Sequence, residues 1–76
     1  MAKKMPVLSG REVIKLLSGL GFVQVKQKGS HVKMKGIHNQ NKRTVIIPLH
    51  KELAPGTLAS ILKQADITIE ELIKKK

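Results

Sequence analysis

The run KGSHVKMK, which starts at Lys28, places one histidine among closely spaced lysines. An imidazole titrates near neutral pH and can accept or donate a proton, so it can act in general acid–base catalysis. Ammonium groups beside it would stabilise the negative charge that develops on phosphorus in a phosphodiester reaction. His31 is therefore a candidate proton-transfer group acting on a polyanion. The cations that would accompany it are Lys28, Lys33 and Lys35.

The simpler alternative is that His31 is an ordinary surface residue, as a histidine that begins a strand usually is. His38 lies in a polar stretch and is predicted to be exposed and without a role. His50, which follows Ile-Pro-Leu, could be a second acid–base group, a phosphate contact or a structural hydrogen-bonding residue. The residue types alone leave these alternatives open.

Further phosphate contacts are predicted at two places. Gly29 and Ser30 precede His31, and the serine hydroxyl could hold a phosphate or orient the imidazole. Gly56 and Thr57 begin a predicted helix, whose first amides lack partners within the helix and attract anions. Simple helix initiation is the alternative for that pair. The chain has no cysteine and no paired-histidine spacing, so we predict no metal and no cofactor.

Charge indicates the class of partner. The chain has 15 basic and 5 acidic residues, and no acidic residue lies between Glu12 and Glu52. A stretch of one sign is typical of proteins that bind nucleic acid or anionic lipid. The basic residues lie mostly outside the helical stretches, which favours nucleic acid over a membrane surface. Phe22 is the only aromatic residue, so recognition by stacking of bases is not expected.

Length and composition predict one small domain over residues 1–76. Residues 1–7 are expected to be a flexible tail, and residues 74–76 a basic one. The chain has no apolar run long enough for a membrane span and no signal-peptide pattern. We therefore expect a soluble cytoplasmic protein that is monomeric when free.

Periodicity predicts the elements. Ser9 and Glu12 form a capping-box pattern before an apolar stripe of helical spacing, whereas Val32 and Met34 alternate with polar residues as in a half-buried strand. The predicted elements are a helix at about 10–20, strands at 22–27, 31–35 and 43–49, a loop at 36–41, a helix at about 55–65 and a short helix at about 69–74. Pro48 should end the third strand or lie on an edge.

This order predicts an α+β fold, α-β-β-β-α, in which helices cover one face of a three-stranded antiparallel sheet. The opposite face would then be open to solvent. His31, Lys33 and Lys35 alternate with the buried positions of their strand, so they are expected on that open face.

Four segments together resemble the HicA toxins of HicAB toxin–antitoxin systems. They are KGSH at 28–31, VIIPLH at 45–50, ELAPGTL at 52–58 and SILKQA at 60–65. The resemblance covers about residues 8–73. It implies a fold similar to double-stranded-RNA-binding domains and a metal-independent endoribonuclease that cleaves mRNA, with His31 as the catalytic histidine. It also implies a HicB antitoxin that binds the toxin and masks its active site. The family usually has a glycine where this chain has Asp66.

Two other functions fit the same charge and element order. A non-catalytic module that binds double-stranded RNA would need the basic surface but not the imidazole. A basic accessory protein would use its charge only to meet an acidic protein partner.

Overall fold

The computed structural model describes residues 6–74, and it confirms the predicted α+β class and element order. The helices are α1 (Gly10–Gly19), α2 (Pro55–Ala65) and α3 (Ile69–Ile73). The strands are β1 (Val23–Lys28), β2 (His31–His38) and β3 (Asn41–Pro48). They form one antiparallel sheet in the order β1-β2-β3, so β3 is an edge strand that ends at Pro48 as predicted.

The helices begin and end where local chemistry directs. The Ser9 hydroxyl accepts a hydrogen bond from the Glu12 amide at 3.0 Å, and the Glu12 carboxylate accepts one from the Ser9 amide at 2.9 Å. This reciprocal capping box satisfies two amides that would otherwise lack partners at the start of α1. Thr68 and Glu71 form the same arrangement at α3. Gly21 ends the α1 region at φ 99°, a conformation that glycine adopts without steric cost.

The hydrophobic core lies between one face of the sheet and the helices. Val32 and Met34 of β2 are buried, while the intervening side chains are not. Val45 and Ile47 of β3 are buried on the same side. The remaining core residues are Leu8, Val13, Leu16, Leu17, Phe22, Leu53, Leu58, Ile61, Leu62, Ala65, Ile67 and Leu72. Because the core lies on one side only, the opposite side of the sheet, which we call the open face, remains accessible.

Two-residue turns join the strands. Gly29 takes φ 57° between β1 and β2, and Asn39 and Gln40 take φ 51° and 66° between β2 and β3. Consecutive positive φ values are typical of turns whose twist matches that of the flanking strands. The predicted loop at 36–41 is therefore wrong, since both strands continue to a turn at 39–40. Cross-strand hydrogen bonding extended the strands through Gly36 and Ile37, whose local sequence is typical of a turn.

Strand β1 contains a β-bulge. Gln24 pairs with Met34 and Lys26 pairs with Lys33, so the intervening Val25 has no partner across the ladder. Strict alternation would put positions 22, 24, 26 and 28 on one face. The extra residue changes the phase, so Phe22 is buried whereas Lys26 lies on the open face.

Most of the two predicted tails lies outside the described residues. Within residues 6–74, Val7 is exposed and Leu8 is buried, so the chain joins the core at Leu8. The Leu53 amide donates to the Leu8 carbonyl at 2.8 Å, and the Gly10 amide donates to the His50 carbonyl at 2.9 Å. These bonds hold the segment before α1 against the segment after β3.

Asp66 ends α2 in the left-handed conformation, with φ 58° and ψ 44°. The amides of Asp66 and Ile67 donate back to the carbonyls of Lys63 and Leu62. The Asp66 carboxylate lies 3.3 Å from the Arg43 guanidinium. Aspartate tolerates positive φ better than most residues, so the helix ends as it would with glycine there.

This geometry predicts a difference between two variants of one position. Asp66→Gly and Asp66→Ala both lose the ion pair with Arg43, but only alanine incurs the steric cost of positive φ. The cost exceeds the lower chain entropy that alanine brings, so the glycine variant should be more stable by about 0.5–1 kcal/mol. Urea denaturation measures the difference, and equal stability of the two variants would contradict it.

Candidate functional site

The β1–β2 hairpin positions His31. The two-residue turn Gly29-Ser30 makes Lys28 the direct cross-strand partner of His31. Directly opposed residues have Cβ atoms about 4.5–5.5 Å apart. The Leu49 amide donates to the Ser30 carbonyl at 2.7 Å, which holds the turn against the end of β3. The side chain of His31 is exposed. Its backbone is held by β1 on one side and by β3 on the other.

A shallow depression of about 220 Å³ surrounds His31 on the open face. Its lining residues are Lys26, Lys28, His31, Lys33 and Ile46. Lys33 is half-buried at the centre of the sheet, and Ile46 of β3 is its cross-strand partner. Three ammonium groups thus approach one imidazole from two adjacent strands.

The charges around His31 repel one another. Lys26 lies directly opposite Lys33, and like charges at opposed positions destabilise a sheet. The described lining of the depression contains no carboxylate that could offset them. An anion bound there would remove the repulsion, so the arrangement is suited to a phosphate.

Three of the five carboxylates make contacts on the helical side of the sheet. Glu12 caps α1, Asp66 pairs with Arg43, and Glu71 caps α3. Across residues 6–74, no group of three or more histidine, aspartate or glutamate side chains converges as metal ligands would.

The structure brings together only part of the set predicted from the sequence. Lys28, His31 and Lys33 share the depression, with the Gly29-Ser30 turn at its end. Lys35 lies further along β2 and lines a neighbouring depression. His50 is exposed beyond the end of β3 and lines neither depression.

Gly56 and Thr57 lie apart from the imidazole. They lie in the first turn of α2, which packs on the core side of the sheet, and neither residue lines the two depressions. Pro55 occupies the start of the helix as predicted, and the N-cap Ala54 makes no side-chain hydrogen bond. An anion contact at this helix start remains a prediction.

The prediction that His38 is exposed is wrong. Its Nε2 lies 3.4 Å from a Glu71 carboxylate oxygen, and its side chain is only 18% exposed. His38 ends β2 on the core side, where α3 packs, so alternation along the longer strand directs it away from the open face. It thus links the sheet to α3.

Sequence reasoning did not assign Lys26 to the site. The signal was available, because a two-residue turn at Gly29-Ser30 pairs Lys28 with His31 and therefore Lys26 with Lys33. Ile46 was also missed, since its place in the lining depends on the register between β2 and β3.

The sequence model of one protein family, the HicA toxin of bacterial toxin-antitoxin systems, matches residues 10–67. This segment begins with α1, ends after α2 and contains every residue that lines the His31 depression. The chain belongs to the HicA toxin family. None of the curated proteins matches the chain significantly.

Membership of the HicA family assigns a broad role. The chain is the toxin of a toxin–antitoxin system, and it therefore has an antitoxin partner. Across residues 6–74, no helix has both the length and the apolar character that a membrane crossing requires.

Proposed function

We propose that this HicA toxin is an endoribonuclease that cleaves mRNA, with His31 as its acid–base group and without a metal ion. The observation that carries the proposal is the environment of that imidazole. His31 is exposed on the open face, opposite Lys28 and within a depression that Lys26 and Lys33 also line. The phosphodiester backbone of RNA supplies the anion that this cluster lacks.

The chemistry follows from the ribose 2′-hydroxyl beside each phosphate. Neutral His31 takes the 2′-hydroxyl proton, the 2′-oxygen attacks phosphorus, and the bond to the 5′-oxygen breaks. Lys28, Lys33 and Lys26 stabilise the charge that accumulates on the phosphoryl oxygens. With a single imidazole in the depression, the leaving 5′-oxygen takes its proton from water or from an ammonium group, so turnover should be slow.

The remaining predicted residues have supporting roles in this proposal. Ser30 orients the ring or holds a phosphate at the hairpin turn, where Gly29 lets the backbone approach closely. His50, beyond β3, contacts RNA that leaves the depression, and the start of α2 at Gly56 and Thr57 holds a more distant phosphate.

The partner proposed from this surface is a HicB-like antitoxin. It would bind the free toxin monomer in the cytoplasm and cover His31, so that RNA cannot enter. Since the depression is cationic, an acidic segment of the antitoxin would complement it.

Purified toxin incubated with a long RNA and a chelator provides the test. We expect slow cleavage that chelator does not reduce, with fragments that end in 2′,3′-cyclic phosphate and begin with 5′-hydroxyl groups. Mass spectrometry of the fragments identifies the ends. A single-stranded DNA of the same length and matching sequence is the control. It lacks the 2′-hydroxyl and should stay intact. Binding without any cleavage would instead indicate a non-catalytic RNA-binding module, whose affinity falls steeply with salt.

A further inference from the structure

A second basic depression lies on the open face, further along β2 from His31. Its volume is about 390 Å³. Its lining residues are Lys35, Gly36, Ile37, Lys42, Arg43 and Thr44. The open-face residues among them, Lys35, Ile37, Lys42 and Thr44, come from β2 and β3 and are all exposed.

Lys35 and Lys42 place two positive charges close together on the open face. Thr44 is the cross-strand partner of Lys35, and Ile37 is the partner of Lys42, so the two lysines are diagonal neighbours. Diagonal neighbours are about 7–8 Å apart, within which two lysine side chains can converge on one phosphate. The Arg43 side chain does not join them, because it pairs with Asp66 on the core side.

The second depression continues the first along the same strand. Residues rise about 3.3–3.4 Å each along a strand, so Lys35 is about 13 Å from His31. Alternate residues, such as Lys33 and Lys35, are about 6.7 Å apart, close to the spacing of successive phosphates in an extended nucleic-acid strand. A strand of RNA laid along β2 would therefore place consecutive phosphates over His31, Lys33 and Lys35.

We propose that Lys35 and Lys42 form a second phosphate-binding subsite, which holds the RNA backbone about two nucleotides from the phosphate cleaved at His31. The inference rests on the proposed endoribonuclease function and adds Lys42, a residue outside the predicted site. The strand shared with the His31 depression favours an RNA backbone over an acidic protein segment. Every nucleotide carries a charge, whereas an acidic segment presents one only where its sequence has a carboxylate. The subsite positions the substrate and takes no part in proton transfer.

Binding of a short single-stranded RNA to the His31→Ala variant tests the subsite without any cleavage. Adding Lys42→Ala should weaken binding about three- to fivefold, the size of one exposed ion pair. The slope of log affinity against log salt should fall by about 0.7. Lys42→Arg should restore both values. Lys63→Ala, which removes an equal charge from α2 on the other side, is the matched control and should change the slope little.

Cleavage of oligonucleotides of increasing length gives a second readout. With otherwise wild-type toxin, kcat/KM should rise when the substrate grows from two to about five nucleotides in one direction. The Lys42→Ala variant should lose about three- to fivefold in kcat/KM on the longer substrate, and its loss on the dinucleotide should be clearly smaller.

The outcomes separate the two proposals. If the wild-type toxin cleaves no RNA, the endoribonuclease proposal fails, and the binding measurements still decide the subsite. If Lys42→Ala and Lys63→Ala have equal affinities and salt slopes, the subsite is refuted and the second depression is left for the protein partner. The subsite would also be refuted if the lysine substitution lowered kcat/KM by the same factor at every substrate length.

Discussion

Replacement of His31 by alanine is expected to lower the rate of RNA cleavage about 10²–10⁴-fold, the usual contribution of a positioned acid–base group. The fold should be unaffected, because the side chain is exposed on the open face and contributes nothing to the core. Binding should also survive, since Lys26, Lys28 and Lys33 remain. Single-turnover cleavage of a labelled RNA, together with its dissociation constant, measures the two effects separately.

His38→Ala is the matched control for this prediction. That histidine lies on the core side beside Glu71, and its loss should weaken the contact between β2 and α3 without slowing cleavage. A His31→Ala protein that cleaves RNA at the wild-type rate would refute the catalytic assignment. A loss of cleavage that only matches a loss of affinity would leave His31 as a binding residue.

Replacement of Phe22 by alanine is expected to lower the free energy of unfolding by about 3–5 kcal/mol, as for other buried aromatic residues. The side chain is 2% exposed. It packs so closely over Gly36 that a Cβ placed there would lie 2.7 Å from the ring. A chain of this length has a total free energy of unfolding of only about 4–11 kcal/mol. The variant should therefore unfold at a urea concentration well below the midpoint of the wild-type transition. Urea denaturation followed by circular dichroism measures the change.

Two neighbouring variants sharpen the stability test. Phe22→Leu keeps most of the volume and should cost less than about half as much. Val25→Ala changes the bulged residue, whose side chain is 47% exposed, and should alter stability by no more than about 0.5 kcal/mol. Equal losses for Phe22→Ala and Val25→Ala would mean that the bulge does not direct Phe22 into the core.

Local sequence was sufficient to predict the bounds of the helices. Capping residues such as Ser9 and Thr68, the apolar stripe of each long helix, and Pro55 set the helix bounds to within about a residue. These signals depend on neighbours three or four positions away, so a single chain segment contains them. The alternation around Val32 and Met34 likewise predicted which face of β2 is buried. The ordered motifs also indicated the HicA family, which the match over residues 10–67 establishes.

Cross-strand pairing was needed where local signals were weak. Gly36 and Ile37 resemble a loop, yet pairing with Arg43 and Lys42 across the ladder holds them in β2. The longer strand then directs His38 to α3, which no pattern within the polar segment could predict. Strand limits depend on partners distant in sequence, and this is why the loop at 36–41 was predicted wrongly.

The sequence alone establishes the order of the elements, the sign of the charge and the presence of one histidine among lysines. Which side chains share a face depends on how the strands pair and pack. The bulge at Val25 lets Phe22 enter the core while Lys26 joins His31, although strict alternation would put both on one side. The physical reason is that a strand has a period of two, so one unpaired residue reverses every face assignment beyond it, and only packing against the helices selects where that residue lies.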